Sequence, residues 1–126
     1  MEFVIHKNKT SWGTVWHIIT DDGMGHVEAQ IDNDNPNTLF ISGLSVYEGA
    51  RRRGLATTML HEIETLAIDN DIERIRLNVD KPKSWVYDFY IRRGYEVCDE
   101  DKEYIYLIKY IYKINVKCRK HQNMNI

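Results

Sequence analysis

The spacing of apolar residues changes once and sharply, at Gly54, and that change restricts the chain to folds that mix sheet with helix. Before it, β-branched and aromatic runs are separated by clusters of Asn, Asp, Gly and Pro. After it, Ala56, Met59, Leu60, Ile63, Leu66 and Ala67 recur every three or four residues. The first pattern belongs to strands joined by tight turns and the second to one amphipathic helix, spanning 54–70. Residues 3–7, 14–20 and 26–32 read as three strands of a meander. Asp21-Asp22-Gly23-Met24-Gly25 and Asn33-Asp34-Asn35-Pro36-Asn37 supply the turns.

A fourth strand, 39–46, carries a fault. Leu39 and Ile41 alternate, Gly43 interrupts, and Leu44 and Val46 resume on the other parity. Glycine inside a strand marks a bulge or a close backbone approach. After the helix, Ile75, Leu77 and Val79 alternate with polar residues, giving a fifth strand that pairs parallel with the fourth because a helical crossover joins them. Pro82 stops that strand, Ser84 can cap a second helix, and Val86, Phe89, Tyr90 and Arg93 lie on one side of it before Gly94 ends it. Residues 95–98 and 104–112 complete the sheet as a hairpin around Asp99-Glu100-Asp101-Lys102. The expected class is α/β: a single domain with a mixed, mostly antiparallel sheet, one splayed parallel pair and two main helices.

With 126 residues, 43% of them hydrophobic, the chain is long enough for one core, so 1–112 reads as the domain and 113–126 as a basic tail. Basic and acidic residues nearly balance, at 17 against 19. That excludes a general attraction to nucleic acid or anionic membrane, and any anion site must be local. No stretch is apolar enough for a signal peptide or a membrane span, and Cys98 and Cys118 do not form a disulfide framework. A cytoplasmic location is expected. His6, His17, His26, His61 and His121 lack metal-ligand spacing, so no metal is expected. Cys98 reads as a small apolar side chain rather than a nucleophile. Tyr104, Tyr106, Tyr110 and Tyr112 share one strand parity and suit a packed sheet face, a dimer edge or an acceptor surface.

The chemistry concentrates where the fourth strand meets the helix. Arg51-Arg52-Arg53-Gly54-Leu55-Ala56, with Thr57 behind it, is a basic, glycine-containing loop opening a helix, the arrangement that gathers backbone N–H groups around a phosphate. It is neither the longer phosphate loop ending in Gly-Lys-Ser/Thr nor the three-glycine dinucleotide fingerprint.

These residues resemble the GCN5-related N-acetyltransferase (GNAT) family. Arg51, Gly54 and Ala56 fill the places of its coenzyme A motif. Leu44 and Val46 match the Leu-x-Val that ends its fourth strand, and Phe89-Tyr90-Ile91-Arg92-Arg93-Gly94-Tyr95 matches its downstream aromatic signature. The resemblance implies acetyl transfer from acetyl-coenzyme A to an amine, either a small molecule or a protein lysine. It implies that the backbones of Leu44 and Val46 face the pantetheine arm, that an amide near Leu44 polarises the thioester carbonyl, and that Tyr90 protonates the departing thiolate. The loop 51–57 would hold the pyrophosphate.

Three departures accompany the resemblance. Phe40 stands where histone-type members carry a glutamate, leaving Glu28 or a water relay to take the proton. Lys83 replaces a frequent asparagine. Only 8–13 separates the first two strands, where most members place two helices, so the acceptor side should be open. The missing glutamate also suits an alternative of another class, a non-catalytic coenzyme A-binding or protein-interaction module; under either reading the tyrosine edge leaves a homodimer open. A nucleic-acid role for Arg51 to Arg53 and the tail is disfavoured by the overall acidity.

Overall fold

A computed structural model describes residues 2–50, 54–81 and 85–111. Arg51, Arg52, Arg53, Pro82, Lys83, Ser84, Tyr112 and the basic tail lie outside the described residues.

Seven strands and two helices form the mixed α/β architecture. They are β1 (Phe3–Lys9), β2 (Gly13–Thr20), β3 (Gly25–Asp32), β4 (Asn35–Val46), α1 (Leu55–Asp69), β5 (Arg74–Asp80), α2 (Trp85–Arg92), β6 (Glu96–Glu100) and β7 (Tyr104–Tyr110). The strands make one sheet in the order β1-β2-β3-β4-β5-β7-β6. Every neighbouring pair is antiparallel except β4 and β5. That exception follows from the α1 crossover, which returns the chain to the sheet in the same direction.

Both helices cover one face. Leu55, Met59, Leu60, Ile63 and Ala67 of α1, with Phe89 and Tyr90 of α2, join one core with the sheet residues Trp16, Ile18, Val27, Ala29, Leu39, Ile75 and Leu107. Alternation sends the other set of side chains to the opposite face. His17, Glu28, Phe40, Arg76, Asn78, Asp80 and Tyr104 are there, partly or fully exposed, and no described element packs over them.

Several expectations need correction. The turn after β3 is Asn33-Asp34 alone, and Asn35, Pro36 and Asn37 belong to β4. The β3–β4 register shifts between Gln30 and Asp32, so Pro36 sits at an irregularity where its missing N–H interrupts no ladder bond. β6 runs two residues past Cys98. The last turn is tightened by Asp101, whose carboxylate accepts from the backbone N–H of Glu103 and Tyr104 at 2.8 Å each. Cys98 is exposed rather than packed. The β6 register shifts between Val97 and Asp99, leaving its thiol 3.7 Å from the Arg76 guanidinium. Tyr104, Tyr106 and Tyr110 do share a face, and it is the one without helices.

Between β1 and β2 there is only Thr10-Ser11-Trp12, closed by Thr10 N–H to Gly13 C=O at 2.8 Å. No helix stands there, and β1 forms an exposed edge of the sheet.

Candidate functional site

The fault read in the fourth strand is a bulge. Glu28 stands opposite Gly43 and Ala29 opposite Ile41, so Ser42 is the extra residue in β4. One added residue restores the face: Leu44 comes to lie opposite Val27, on the helix side with Ile41, despite their odd separation. The bulge coincides with the end of parallel pairing. β4 and β5 match only from Thr38 opposite Arg74 to Ile41 opposite Leu77, and beyond that the strands part.

A cleft of about 430 Å³ fills the parting. Its walls include Gly43 and Leu44 of β4, Asn78 and Asp80 of β5, Tyr90 of α2 and Tyr104 of β7. Leu77, Val79 and Tyr90 belong to the helix-covered face and Asn78, Asp80 and Tyr104 to the bare one, so the gap runs through the sheet. On the β4 wall, Tyr47 donates its N–H to Met24 C=O at 2.9 Å. Antiparallel alternation from that bond turns the N–H groups of Ser45 and Gly43 toward β3 and those of Val46 and Leu44 toward the parting.

Tyr90 is 1% exposed, on the last turn of α2. Its ring packs edge-on against Phe89 at 5.2 Å and Tyr95 at 5.1 Å. Its hydroxyl makes no hydrogen bond among the described residues, yet no fully buried polar side-chain atom there lacks a partner, so the oxygen keeps a sliver of exposure in a residue that lines the cleft. Burial, and secondarily the negative field of Glu64, raise its pKa well above the ordinary tyrosine value. The hydroxyl therefore stays protonated at neutral pH.

A second cleft of about 610 Å³ lies on the helix side, between the start of α1 and α2. Gly54, Ala56, Thr57, Trp85, Phe89 and Arg93 are among its lining. Gly54 is the N-cap of α1 in the left-handed region at φ 75°, makes no side-chain cap, and has open space where a Cβ would be. Helix N–H groups there meet no capping side chain and no acidic residue in the first turn, so the end is suited to an anion. Arg93 braces the pair of helices, donating to Thr57 Oγ1 at 2.7 Å and Phe89 C=O at 2.9 Å, with its guanidinium carbon 3.9 Å above the Phe89 ring.

The structure thus brings Leu44 and Tyr90 to one cleft and Val46, Gly54, Leu55, Ala56 and Thr57 to the neighbouring one. Arg51, Arg52 and Arg53 lie outside the described residues. Glu28 lies beside the first cleft rather than on its wall, opposite Gly43, with its carboxylate 3.7 Å from His17 Nε2. Asp80, on the cleft wall, was not singled out by the sequence, whereas Tyr104, beside it, belongs to the tyrosine run read as a packed face, a dimer edge or an acceptor surface. Asp80 ends a regular alternation of polar positions, and nothing in that pattern marks it. Among the described residues there is no cluster of His, Cys, Asp and Glu able to hold a metal, and no helix long and apolar enough to cross a membrane.

The chain matches the acetyltransferase (GNAT) family over residues 3–95. Among solved structures it is similar to the PaiA N-acetyltransferase from Thermoplasma acidophilum in complex with coenzyme A, at TM-score 0.67 and 23% identity. That match covers 76% of this chain and 59% of the other, so the chain spans less than two thirds of that protein. A GNAT family acetyltransferase from Elizabethkingia anophelis with acetyl-CoA bound matches at TM-score 0.67 and 10% identity over 86% of this chain and 97% of its own. An acetyltransferase from Bacillus cereus matches at TM-score 0.61 and 22% identity, covering 86% and 73%. At these identities the likeness is one of fold. Among curated proteins none matches.

Proposed function

Since the chain belongs to the GNAT acetyltransferase family, we propose that it transfers an acetyl group from acetyl-coenzyme A to a primary amine by direct attack. One observation carries this reading. The parting of β4 and β5 has an outward-turned N–H at Leu44 on one wall and the Tyr90 hydroxyl on another, beside an uncapped helix start.

In this reading the pyrophosphate of the coenzyme docks on the N–H groups of Gly54, Leu55, Ala56 and Thr57, where a positive φ and the absence of a side chain let it approach the backbone. Arg51, Arg52 and Arg53 add charge, a role that rests on the sequence. The pantetheine arm runs along β4 past Val46 and Leu44, where β5 has turned away. The amine nitrogen attacks the thioester carbonyl carbon, and negative charge moves to the oxygen. A fixed N–H at Leu44 aimed at that oxygen lowers the barrier by about 3 kcal/mol, the usual scale for one such donor. Collapse of the adduct breaks the C–S bond, and the electron pair leaves with sulfur. An acceptor that arrives as an ammonium ion gives up one proton before the attack and a second after it, both to solvent through the bare face, with the Glu28 carboxylate, opposite Gly43, placed to relay them.

Tyr90 donates a hydrogen bond to the departing sulfur and supplies its proton, which solvent then replaces. The raised pKa bears on how. It keeps the donor loaded, and it makes an isolated tyrosinate costly, so donation and resupply through the cleft proceed together. The products are an acetamide and free coenzyme A thiol. Acetyl-coenzyme A supply favours a cytoplasmic setting for this chemistry.

Labelled acetyl-coenzyme A offered with a panel of small amines and a cell lysate tests the reading. A labelled amide or protein supports it. Tight coenzyme binding with no transfer to any acceptor selects the non-catalytic alternative.

A further inference from the structure

We propose that Asp80 is the carboxylate that receives the ammonium group of the acceptor, at the bare-face mouth of the parting, and so selects a cationic alkylamine. The acetyl-transfer reading sets the direction of approach. The helix start and the second cleft occupy one side of the sheet, so a coenzyme entering there leaves the opposite mouth of the parting to the acceptor. At that mouth the cleft wall consists of Asn78, Asp80 and Tyr104, with Tyr104 directly across from Asp80 in the β5–β7 register.

Asp80 is the charged residue of the cleft wall, and its environment leaves that charge uncommitted. Among the described residues it forms no hydrogen bond or ion pair. The described cations nearest to it in sequence are engaged elsewhere. Lys81 bonds the Asp101 carbonyl at 2.7 Å and the Glu100 carboxylate at 2.6 Å, and the Arg76 guanidinium lies against the Cys98 thiol at 3.7 Å. An exposed carboxylate with no partner among the described residues, on the wall of a cleft that Tyr90 also lines, selects a cation over a neutral nucleophile. Tyr104 adds an aromatic face next to it, on which an ammonium or its methylene chain can rest. With no helix between β1 and β2, no described element stands over this mouth, so a free alkylamine and a lysine side chain on another protein both reach it.

The test is a titration of the whole protein with cadaverine and, separately, with N-acetyl-lysine methylamide, following the backbone amide resonances of Asp80 and Tyr104. Saturable shifts are expected with one or both, and the tighter of the two identifies the source of the amine. Asp80→Asn should weaken the binding by roughly fivefold, the upper range for an exposed ion pair, and the difference should vanish in about 1 M salt. Asp80→Glu should retain most of it. Because Asp80 has no partner to lose among the described residues, both variants should melt with the wild type, which separates a docking effect from misfolding. Equal affinity in Asp80→Asn and wild type overturns the proposal, as does the absence of a saturable shift with either amine. Melting with and without acetyl-coenzyme A on the same samples separates the two readings. No stabilisation by the coenzyme, alongside Asp80-dependent amine binding, defeats acetyl transfer and leaves the ammonium site standing.

Discussion

Tyr95 donates its hydroxyl to the Glu64 carboxylate at 2.9 Å, tying the segment between α2 and β6 to α1. Lys109 of β7 joins the same carboxylate at 3.1 Å and also donates to the Arg93 carbonyl at 2.9 Å, while its ammonium stands 5.5 Å from the Tyr95 ring centroid. Three elements therefore meet at Glu64. Since Tyr90 packs edge-on against Tyr95, this half-buried knot sets where the Tyr90 hydroxyl points into the cleft.

Removing the knot should cost stability in a graded way. Tyr95→Phe deletes one hydrogen bond but leaves Glu64 paired with Lys109, for a loss of about 1 kcal/mol. Glu64→Ala strands the Tyr95 hydroxyl and leaves the Lys109 ammonium only the Arg93 carbonyl, and should cost roughly 1–3 kcal/mol. Urea midpoints measure both. An undiminished midpoint in Glu64→Ala would show that the knot does not hold the helices.

The same tyrosines make the fold sensitive to alkali. In Tyr90 and Tyr95 burial is the leading cause of a raised pKa, followed by the field of Glu64, and in Tyr95 by its hydrogen bond to that carboxylate as well. A group whose pKa is higher folded than unfolded contributes stability that is fully present below its unfolded value, about 10 for tyrosine, and is lost as pH rises above it. Melting temperature should therefore fall steeply between about pH 10 and 12, and less steeply in Tyr95→Phe. The variant's dependence matching the wild type's would remove Tyr95 from the cause.

Gly54 ties stability and coenzyme binding together. Its open surroundings accept a methyl group, but its φ of 75° does not suit an L side chain. Gly54→Ala should cost about 1–2 kcal/mol, lowering the melting point by a few degrees, and should weaken acetyl-coenzyme A binding as the cap shifts. Calorimetric affinity and melting on one sample separate the two effects. Unchanged affinity in Gly54→Ala would move the cradle elsewhere.

What the sequence revealed and what it hid divide along a physical line. The period change at Gly54 and the alternation in β5 are local signals, and both elements lie where the spacing put them. Gly43 marked the bulge, although only the register showed that Ser42 is the inserted residue and that Leu44 returns to the helix side. The Glu64, Tyr95 and Lys109 knot joins positions 31 and 45 residues apart, and no local pattern encodes such a contact. Asp80 was hidden for a related reason. A polar residue in a strand reads as solvated surface until the parting of its neighbour makes it a wall. Pro36 misled because its effect depends on which ladder it interrupts, a property of the partner strand.

Tyr90 is the most direct test of the chemistry. Its ring packs between Phe89 and Tyr95, so the phenylalanine variant keeps that packing, and its hydroxyl has no partner among the described residues to lose. Melting should therefore change by less than about 1 kcal/mol, the value of an ordinary hydrogen bond. If the hydroxyl stabilises the leaving sulfur, its removal should lower kcat by roughly ten to ten thousandfold, the lower end applying where water enters the cleft and donates instead, with coenzyme affinity nearly unchanged. The loss should also depend on the leaving group. A thioester whose thiol is more acidic needs less help at sulfur, so an acetyl thioester of a low-pKa thiol should narrow the gap between Tyr90→Phe and wild type. A gap that stays constant across thioesters, or a kcat equal to wild type, would leave Tyr90 as a packing residue and shift the search for the acid to the solvent in the cleft.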